Sequence, residues 1–509
     1  MPFDNERTEF ERRKAQALSM GSPKRLAERQ AQGILNARER VDRLLDAGSF
    51  HEAGLFATSI RPEMRDKTPG DGVVCGFGTM GGRLVGVNAA DFTVLGSSSA
   101  EVHGKKQGHV RALATRNGFP IVNLMECAGG RIPDIMGAGG IGMSGERAVY
   151  RNPRQVPWIS AVMGLTYGGG AFTCINSDIV VMRKGAVLAV SSQMVTSVAI
   201  GEEEDPQSLG GWRHHSEMTG LIDVLAESDE EAIATVKRAL SYLPDHAGAL
   251  PPRLPPPKDD PARDEAVLTL VPESRAKVYD VRMVIKAVVD ADSFFPLKER
   301  FAKVAVTALA RLGGQVVGIV ASNPMFKGGA LDPDACDKIA SFIVLCDSYN
   351  IPLIFLADTP GFLVGAESEK KRLPAKIMTF MSALEQATVP KIALVLRKSY
   401  GQAYLNMGGG KADITASWFT GDISFMDPAV AVNVVFAVKR EDDPARHAAL
   451  VAEVAAGTTP YELAAPFLAH SVIDPRDTRR TLISMLQILC RRTTGGLGEH
   501  RLANWPHGF

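Results

Sequence analysis

Residues Val389–Tyr404 read VPKIALVLRKSYGQAY, and residues Val156–Phe172 read VPWISAVMGLTYGGGAF. Each stretch opens on Val-Pro, runs through a short apolar segment and closes on a Tyr-Gly turn. Pro157 and Pro390 stand 233 residues apart, and so do Tyr167 and Tyr400. A second matched pair lies upstream. Pro120 followed by IVNLME to Glu126 corresponds to Pro352 followed by LIFLAD to Asp358, at a spacing of 232. Two matched blocks in the same order, with spacings one residue apart, mark an internal duplication of a whole domain.

Runs such as Ile121–Met125 and Ile392–Leu396 are short, continuously apolar and bounded by turn residues. They predict strands buried on both faces of a sheet. Each strand empties into a small-residue turn: Ala128-Gly129-Gly130, Tyr167-Gly168-Gly169-Gly170, Thr359-Pro360-Gly361 and Tyr400-Gly401. Glycine lets the backbone approach a ligand closely. Two such turns side by side aim backbone donors at one oxygen, which is the chemistry that stabilises an enolate or a tetrahedral oxyanion. No side-chain nucleophile is needed for it.

The chain has 509 residues, 45% hydrophobic and 22% charged, with 57 basic and 57 acidic side chains. That balance gives no electrostatic case for nucleic acid or a charged membrane surface. No apolar run approaches the roughly 18–20 residues that span a bilayer. Asp4, Glu6, Glu9 and Glu11 in the first residues argue against a signal or transit peptide. The six cysteines are scattered without a CxxC pair, which fits a reduced, cytoplasmic chain with no structural zinc. His214-His215 is read as a loop or helix-end pair, and no metal is expected.

The first 35 residues are charged and helical in pattern; this arm either clasps the first domain or meets a polyanionic ligand. Asn36 and Glu39 form a capping box ahead of a helix that Gly48 is expected to close. In each half a Gly-punctuated hairpin (Gly70–Val94; Arg311–Val320) precedes a helix (Glu101–Asn117; Asp334–Tyr349), a strand and turn, then a second strand and turn. Residues 1–242 and 265–509 are expected as the two domains. Residues 243–264 hold seven prolines, a density expected to exclude helix and leave a stiff exposed linker. Gly137–Gly142 fits GxGxxG and Gly408–Lys411 resembles the end of a P-loop. Neither has the strand, the acid or the flanking residues that those sites need.

Over nearly its whole length the sequence resembles the carboxyltransferase (β) subunits of biotin-dependent acyl-CoA carboxylases. The motifs are Leu35–Arg40 (LNARER), Pro69–Val74 (PGDGVV), Asp91–Val94 (DFTV), Glu126–Ile132, Leu209-Gly210-Gly211 with His215, Asn350-Ile351-Pro352, Asp358–Phe362 (DTPGF) and Arg397–Gly401 with Ala403-Tyr404. The resemblance implies an α/β fold of two tandem crotonase-like domains. It also implies carboxyl transfer from carboxybiotin to the α-carbon of an acyl-CoA thioester through an enolate.

The first half would take the acyl-CoA. Biotin would arrive on a separate carrier at the second half, since the chain has no Ala-Met-Lys-Met site or ATP-binding module of its own. A biotin carboxylase and carrier subunit are the implied partners, and a homo-hexamer, a dimer of trimers, is the implied assembly. Gly168 and Gly169 match one oxyanion pair, Gln402 and Ala403 the other. Gly129, Gly130, Arg131, Tyr167, Gly361, Phe362, Gly401, Tyr404 and Leu405 are the implied substrate-binding positions.

Several positions depart from the family. Gln402 and Leu405 replace a usual glycine and aspartate. A positive φ at Gln402 would cost about 1 kcal/mol, and an apolar Leu405 points to an acyl group other than propionyl, longer or aromatic. The glycine-rich loop after Gly365 is shortened, and Tyr167 is expected to narrow the first pocket. Two other readings stay open: a carboxyacyl-CoA decarboxylase subunit, and a non-catalytic hexamer-forming paralogue.

Overall fold

The computed structural model describes residues 3–147, 151–258 and 260–506. The chain divides into two compact units, one reaching Ala247 and the other running from Gly248 to Trp505.

Each unit is built on an eight-stranded sheet of the same design. In the first unit the strands are β1 (His51–Glu52), β2 (Val73–Met80), β3 (Arg83–Ala90), β4 (Ile121–Cys127), β5 (Trp158–Tyr167), β6 (Ile179–Arg183), β7 (Val187–Ala189) and β8 (Val224–Ala226). In the second they are β9 (Phe295–Leu297), β10 (Ala305–Leu312), β11 (Gln315–Ser322), β12 (Leu353–Thr359), β13 (Lys391–Tyr400), β14 (Ile414–Trp418), β15 (Asp422–Ser424) and β16 (Ser471–Ile473). The spatial orders are β1-β2-β3-β4-β5-β6-β8 and β9-β10-β11-β12-β13-β14-β16, with β7 and β15 pairing the far ends of β5 and β13. Three antiparallel strands open each sheet, β1–β3 in the first and β9–β11 in the second, and the remaining pairings are parallel. Strands β4 and β12 are buried throughout, as their continuous apolar runs predict.

The likeness extends to irregularities. The β4–β5 register slips between Met125 and Cys127, and the β12–β13 register slips between Ala357 and Thr359. Bulges of this kind re-aim the strand end beside a site. Buried Lys106 donates to the carbonyls of Gly70 and Val73 at 2.7 and 2.6 Å. Its counterpart Lys338 donates to Lys298, Phe301 and Ala305 at 2.7–2.9 Å. Each ammonium ties down the loop that feeds its hairpin.

The matched acids are anchored differently. In the first unit the bulge carries Gly164, whose added Cβ would lie 2.0 Å from the Glu126 carboxylate. Arg29 of the N-terminal arm and Arg40 of the helix Ala37–Leu44 fill the remaining space, both bonding Glu126 at 2.6 Å. Burial opposes ionisation of Glu126, but the two guanidinium groups outweigh it and hold the carboxyl below its ordinary range. In the second unit the bulge supplies the cation itself, Arg397, 2.9 Å from Asp358. The arm therefore clasps the first unit, and Arg25 and Gly21 also bond Thr93.

Two local expectations change. A helix, Pro261–Leu270, opens inside the proline-rich segment, because Pro261 occupies its first turn, where no N–H is required, and Asp260 caps it. The capping box of Asn36 and Glu39 is present, but its helix ends at Leu44 and Gly48 lies beyond the cap.

Candidate active site

In the first unit the bulge brings the ends of β4 and β5 together, with Cys127 beside Thr166. The turns that follow are neighbours: a Cβ built on Gly168 would sit 3.8 Å from the Gly129 Cα. Both residues use left-handed φ, 101° at Gly129 and 57° at Gly168, which only glycine adopts freely. The first turn is zipped to Ser99, whose N–H donates to the Gly129 carbonyl while its own carbonyl accepts from Arg131, both at 2.8 Å. The second unit repeats this contact with Leu331, Gly361 and Leu363, at 3.0 and 2.8 Å.

Accounting for the amides locates the available donors. The Gly168 N–H is donated to the carbonyls of Ala189 and Val190, so Gly168 shapes the turn and is not an open donor. This corrects the expected Gly168–Gly169 pair. Gly169 and Gly170 begin the helix Gly169–Ile175, where amides have no intrahelical acceptor, and neither meets an acceptor among the described residues. The amides of Gly129 and Gly130 are likewise unengaged.

In the second unit the left-handed residue is Gly401, φ 59°. Gln402 is an ordinary residue of the helix Gly401–Asn406, so the anticipated strain at 402 is absent. Its side chain donates to Asn406 at 3.0 Å. The amides of Gln402, Ala403 and Phe362 have no acceptor among the described residues, while Gly361 donates to the Thr359 hydroxyl at 3.2 Å. Residues 169 and 170 thus correspond to 402 and 403. Tyr404 packs its ring over Gly409, and burial raises its phenol pKa. Leu405 is half-buried beside it.

Other expected contacts are structural. Arg131 is buried, and its guanidinium bonds Asp71 at 2.7 Å, the Ser98 carbonyl at 3.1 Å and Asp134 at 3.3 Å. It cannot turn to a ligand without breaking that set. Tyr167 is 4% exposed, so its ring packs into the core of the first unit. His215 Nε2 donates to the Leu188 carbonyl (2.7 Å) and its Nδ1 lies 3.0 Å from the Thr219 hydroxyl, and burial lowers its pKa. Among the described residues no His, Cys, Asp and Glu group has metal-binding geometry. No described helix is long and apolar enough to cross a membrane.

Sequence reading missed the anchor of the second turn. The Tyr400 phenol donates to Asp422, which also pairs with Arg275. The acid one strand away from a matched tyrosine was the available signal.

A carboxyl transferase domain description matches residues 28–499. The chain belongs to the carboxyl transferase family. This carboxyltransferase is 36% identical over 505 residues to a propionyl-CoA carboxylase carboxyltransferase subunit of Haloferax mediterranei, covering 96% of this chain and 97% of that one. It is 35% identical over 490 residues to a methylmalonyl-CoA decarboxylase subunit alpha of Veillonella parvula, covering 94% of each. Among solved structures it is similar to a transcarboxylase 12S hexamer with methylmalonyl-coenzyme A and methylmalonic acid bound (TM-score 0.89, 33% identity, 97% and 98% covered). Its two crotonase-like units are the two domains of that fold, and acyl-CoA carboxyl transfer is its class of activity.

Proposed function

We propose that this carboxyltransferase moves a carboxyl group from carboxybiotin, carried on a separate protein, to the α-carbon of an acyl-CoA, with main-chain amides holding the reacting oxygens. The observation that carries this reading is the open amide pair Gly169–Gly170 beside Gly129–Gly130, repeated at Gln402–Ala403 beside Phe362. The first set receives the thioester oxygen. As the α-proton leaves, charge builds on that oxygen, and fixed N–H dipoles stabilise it without reorganising. Such donors do not titrate, so the chemistry at these oxygens needs no side-chain acid–base pair.

The second set fits the ureido oxygen of biotin: two amides without acceptors, on a turn so close to the Phe425 carbonyl that a Cβ on Gly401 would come within 3.1 Å. When bound, carboxybiotin supplies the carboxyl group and a basic ureido nitrogen. Half-buried Leu405 offers an apolar wall, which suits an acyl chain longer than propionyl or an aromatic one.

Assembly as a hexamer is part of the same proposal. Met194 and Val198 on the helix Gln193–Ile200 are 71% and 81% exposed, and Val434 and Val435 on the matched helix Pro428–Val435 are each 67% exposed. Apolar faces of this kind mark surfaces that are covered in an assembly.

The test is reconstitution with a biotin carboxylase, biotinylated carrier, ATP and bicarbonate over a panel of CoA thioesters, read by mass spectrometry. Biotin-dependent carboxyacyl-CoA formation is the expected result; product without biotin would remove the proposal. The decarboxylase relative favours one second reading, the reverse reaction. CO2 release from a carboxyacyl-CoA without ATP, with transfer onto free biotin and no forward product, selects it.

A further inference from the structure

The strands of the first unit carry a rung of polar side chains through an apolar core. Asn88 on β3, Asn123 on β4 and Ser160 on β5 lie in register and are at most 4% exposed. Asn88 Nδ2 donates to Asn123 Oδ1 at 3.0 Å, and Asn123 Nδ2 donates to Ser160 Oγ at 3.2 Å. Ser160 Oγ then lies 2.6 Å from Ser177 Oγ, and Ser177 Oγ donates to the Thr173 carbonyl at 3.1 Å. Since Ser177 gives its hydrogen to the Thr173 carbonyl, Ser160 is the donor to Ser177, so every donor points the same way. Bonds aligned like this polarise one another. The run ends on the helix Gly169–Ile175, the element that bears the open Gly169 and Gly170 amides.

The second unit shows that the fold does not need this rung. The same three positions in register are Val320, Phe355 and Ala393. There Gly408 packs against Ala393 and Phe355, at 3.1 and 3.3 Å from a built Cβ. An apolar rung avoids the desolvation cost of buried amides and hydroxyls. It also avoids the orphan that the ladder leaves, Asn88 Oδ1, which has no partner among the described residues. The first unit carries that cost at the one rung that leads to its glycine-turn helix.

We infer that Asn88, Asn123, Ser160 and Ser177 are positioning residues that hold the glycine-turn helix so that the Gly169 and Gly170 amides meet the reacting oxygen; this rests on the proposal that those amides are the donors. Ser177→Ala cuts the last link, and Ser177→Thr keeps a hydroxyl there. In the reconstituted enzyme with its carrier, Ser177→Ala is expected to lower kcat about 10-fold, less than the ~100-fold of a full 1 Å misplacement, with KM for acyl-CoA within about 2-fold. Hydrogen exchange of the peptide spanning 168–177 should quicken in Ser177→Ala. Ser177→Thr should restore both readouts.

Unchanged exchange and unchanged kcat in Ser177→Ala would overturn the ladder's role, as would failure of Ser177→Thr to rescue. If exchange is unchanged while Gly169→Pro still abolishes turnover, the ladder alone is wrong. If exchange quickens but kcat holds, the ladder orders the helix without positioning the donors and this inference fails; if Gly169→Pro also leaves turnover unchanged, the amide-donor proposal fails with it.

Discussion

Gly168 donates its amide to the carbonyls of Ala189 and Val190 at 3.2 and 3.1 Å, while Gly169, the next residue, donates to no acceptor among the described residues. One residue is the hinge of the turn and the other is its open donor. The division follows from β7, which pairs with the end of β5 and occupies the Gly168 amide from outside the turn.

Gly168→Ala should therefore act on stability first. Its backbone (φ 57°, ψ −125°) lies in a region open to glycine, and a Cβ there stores roughly 1–3 kcal/mol of strain. Chemical denaturation should show a loss of that size.

Arg131→Met should also read as a folding defect. It leaves Asp71, which is fully buried, without its cation, and removing one partner of a buried pair costs about 3–5 kcal/mol. Urea melts should show that loss, while KM for acyl-CoA in the surviving folded fraction stays unchanged. A raised KM at full stability would return Arg131 to the substrate-binding set.

The pH dependence has a defined sign at His103. Burial pushes this imidazole down to about 4, with Arg131 and Lys106 adding to the shift and Asp71 opposing it. An unfolded histidine takes its proton near 6.5, so between pH 6.5 and 4 the unfolded chain binds more protons than the folded one. The His103 contribution is present above pH 6.5 and is lost as pH falls toward 4. His103→Asn keeps an N–H near the Asp71 carbonyl, which accepts at 3.0 Å from Nδ1. It should flatten the slope of stability against pH in that window.

How much of this was legible in the sequence varies with the range of the contact. The duplication was visible because Pro, acid and Tyr-Gly recur at fixed spacing, and burial of β4 and β12 follows from their apolar runs. The engaged amide of Gly168 was not visible, since it depends on a strand twenty residues downstream. The commitment of Arg131 depends on Asp71, sixty positions upstream, and on a burial that no local pattern reports. Gln402 looked strained only because the left-handed position was assigned one residue late. The polar rung left a trace in the sequence: Asn88, Asn123 and Ser160 each stand between apolar neighbours in the middle of a strand.

Leu405→Ala should change acyl-chain preference. Removing the apolar wall lowers kcat/KM for a longer acyl-CoA relative to propionyl-CoA by about 10-fold, the scale of a few methylene contacts. Competition between two thioesters, read by product mass, measures the ratio directly.

The most direct measurement is single-turnover carboxyl transfer by Gly169→Pro. Proline is accommodated in the first turn of a helix, where a ring carbon takes the place of the N–H, and a Cβ at 169 has its nearest neighbour, Ser99 Oγ, at 3.9 Å. A rate lower by about 100- to 1,000-fold with unchanged melting temperature is the predicted result. A rate within about 3-fold of the parent enzyme would contradict the assignment of main-chain amides as the groups that hold the reacting oxygen.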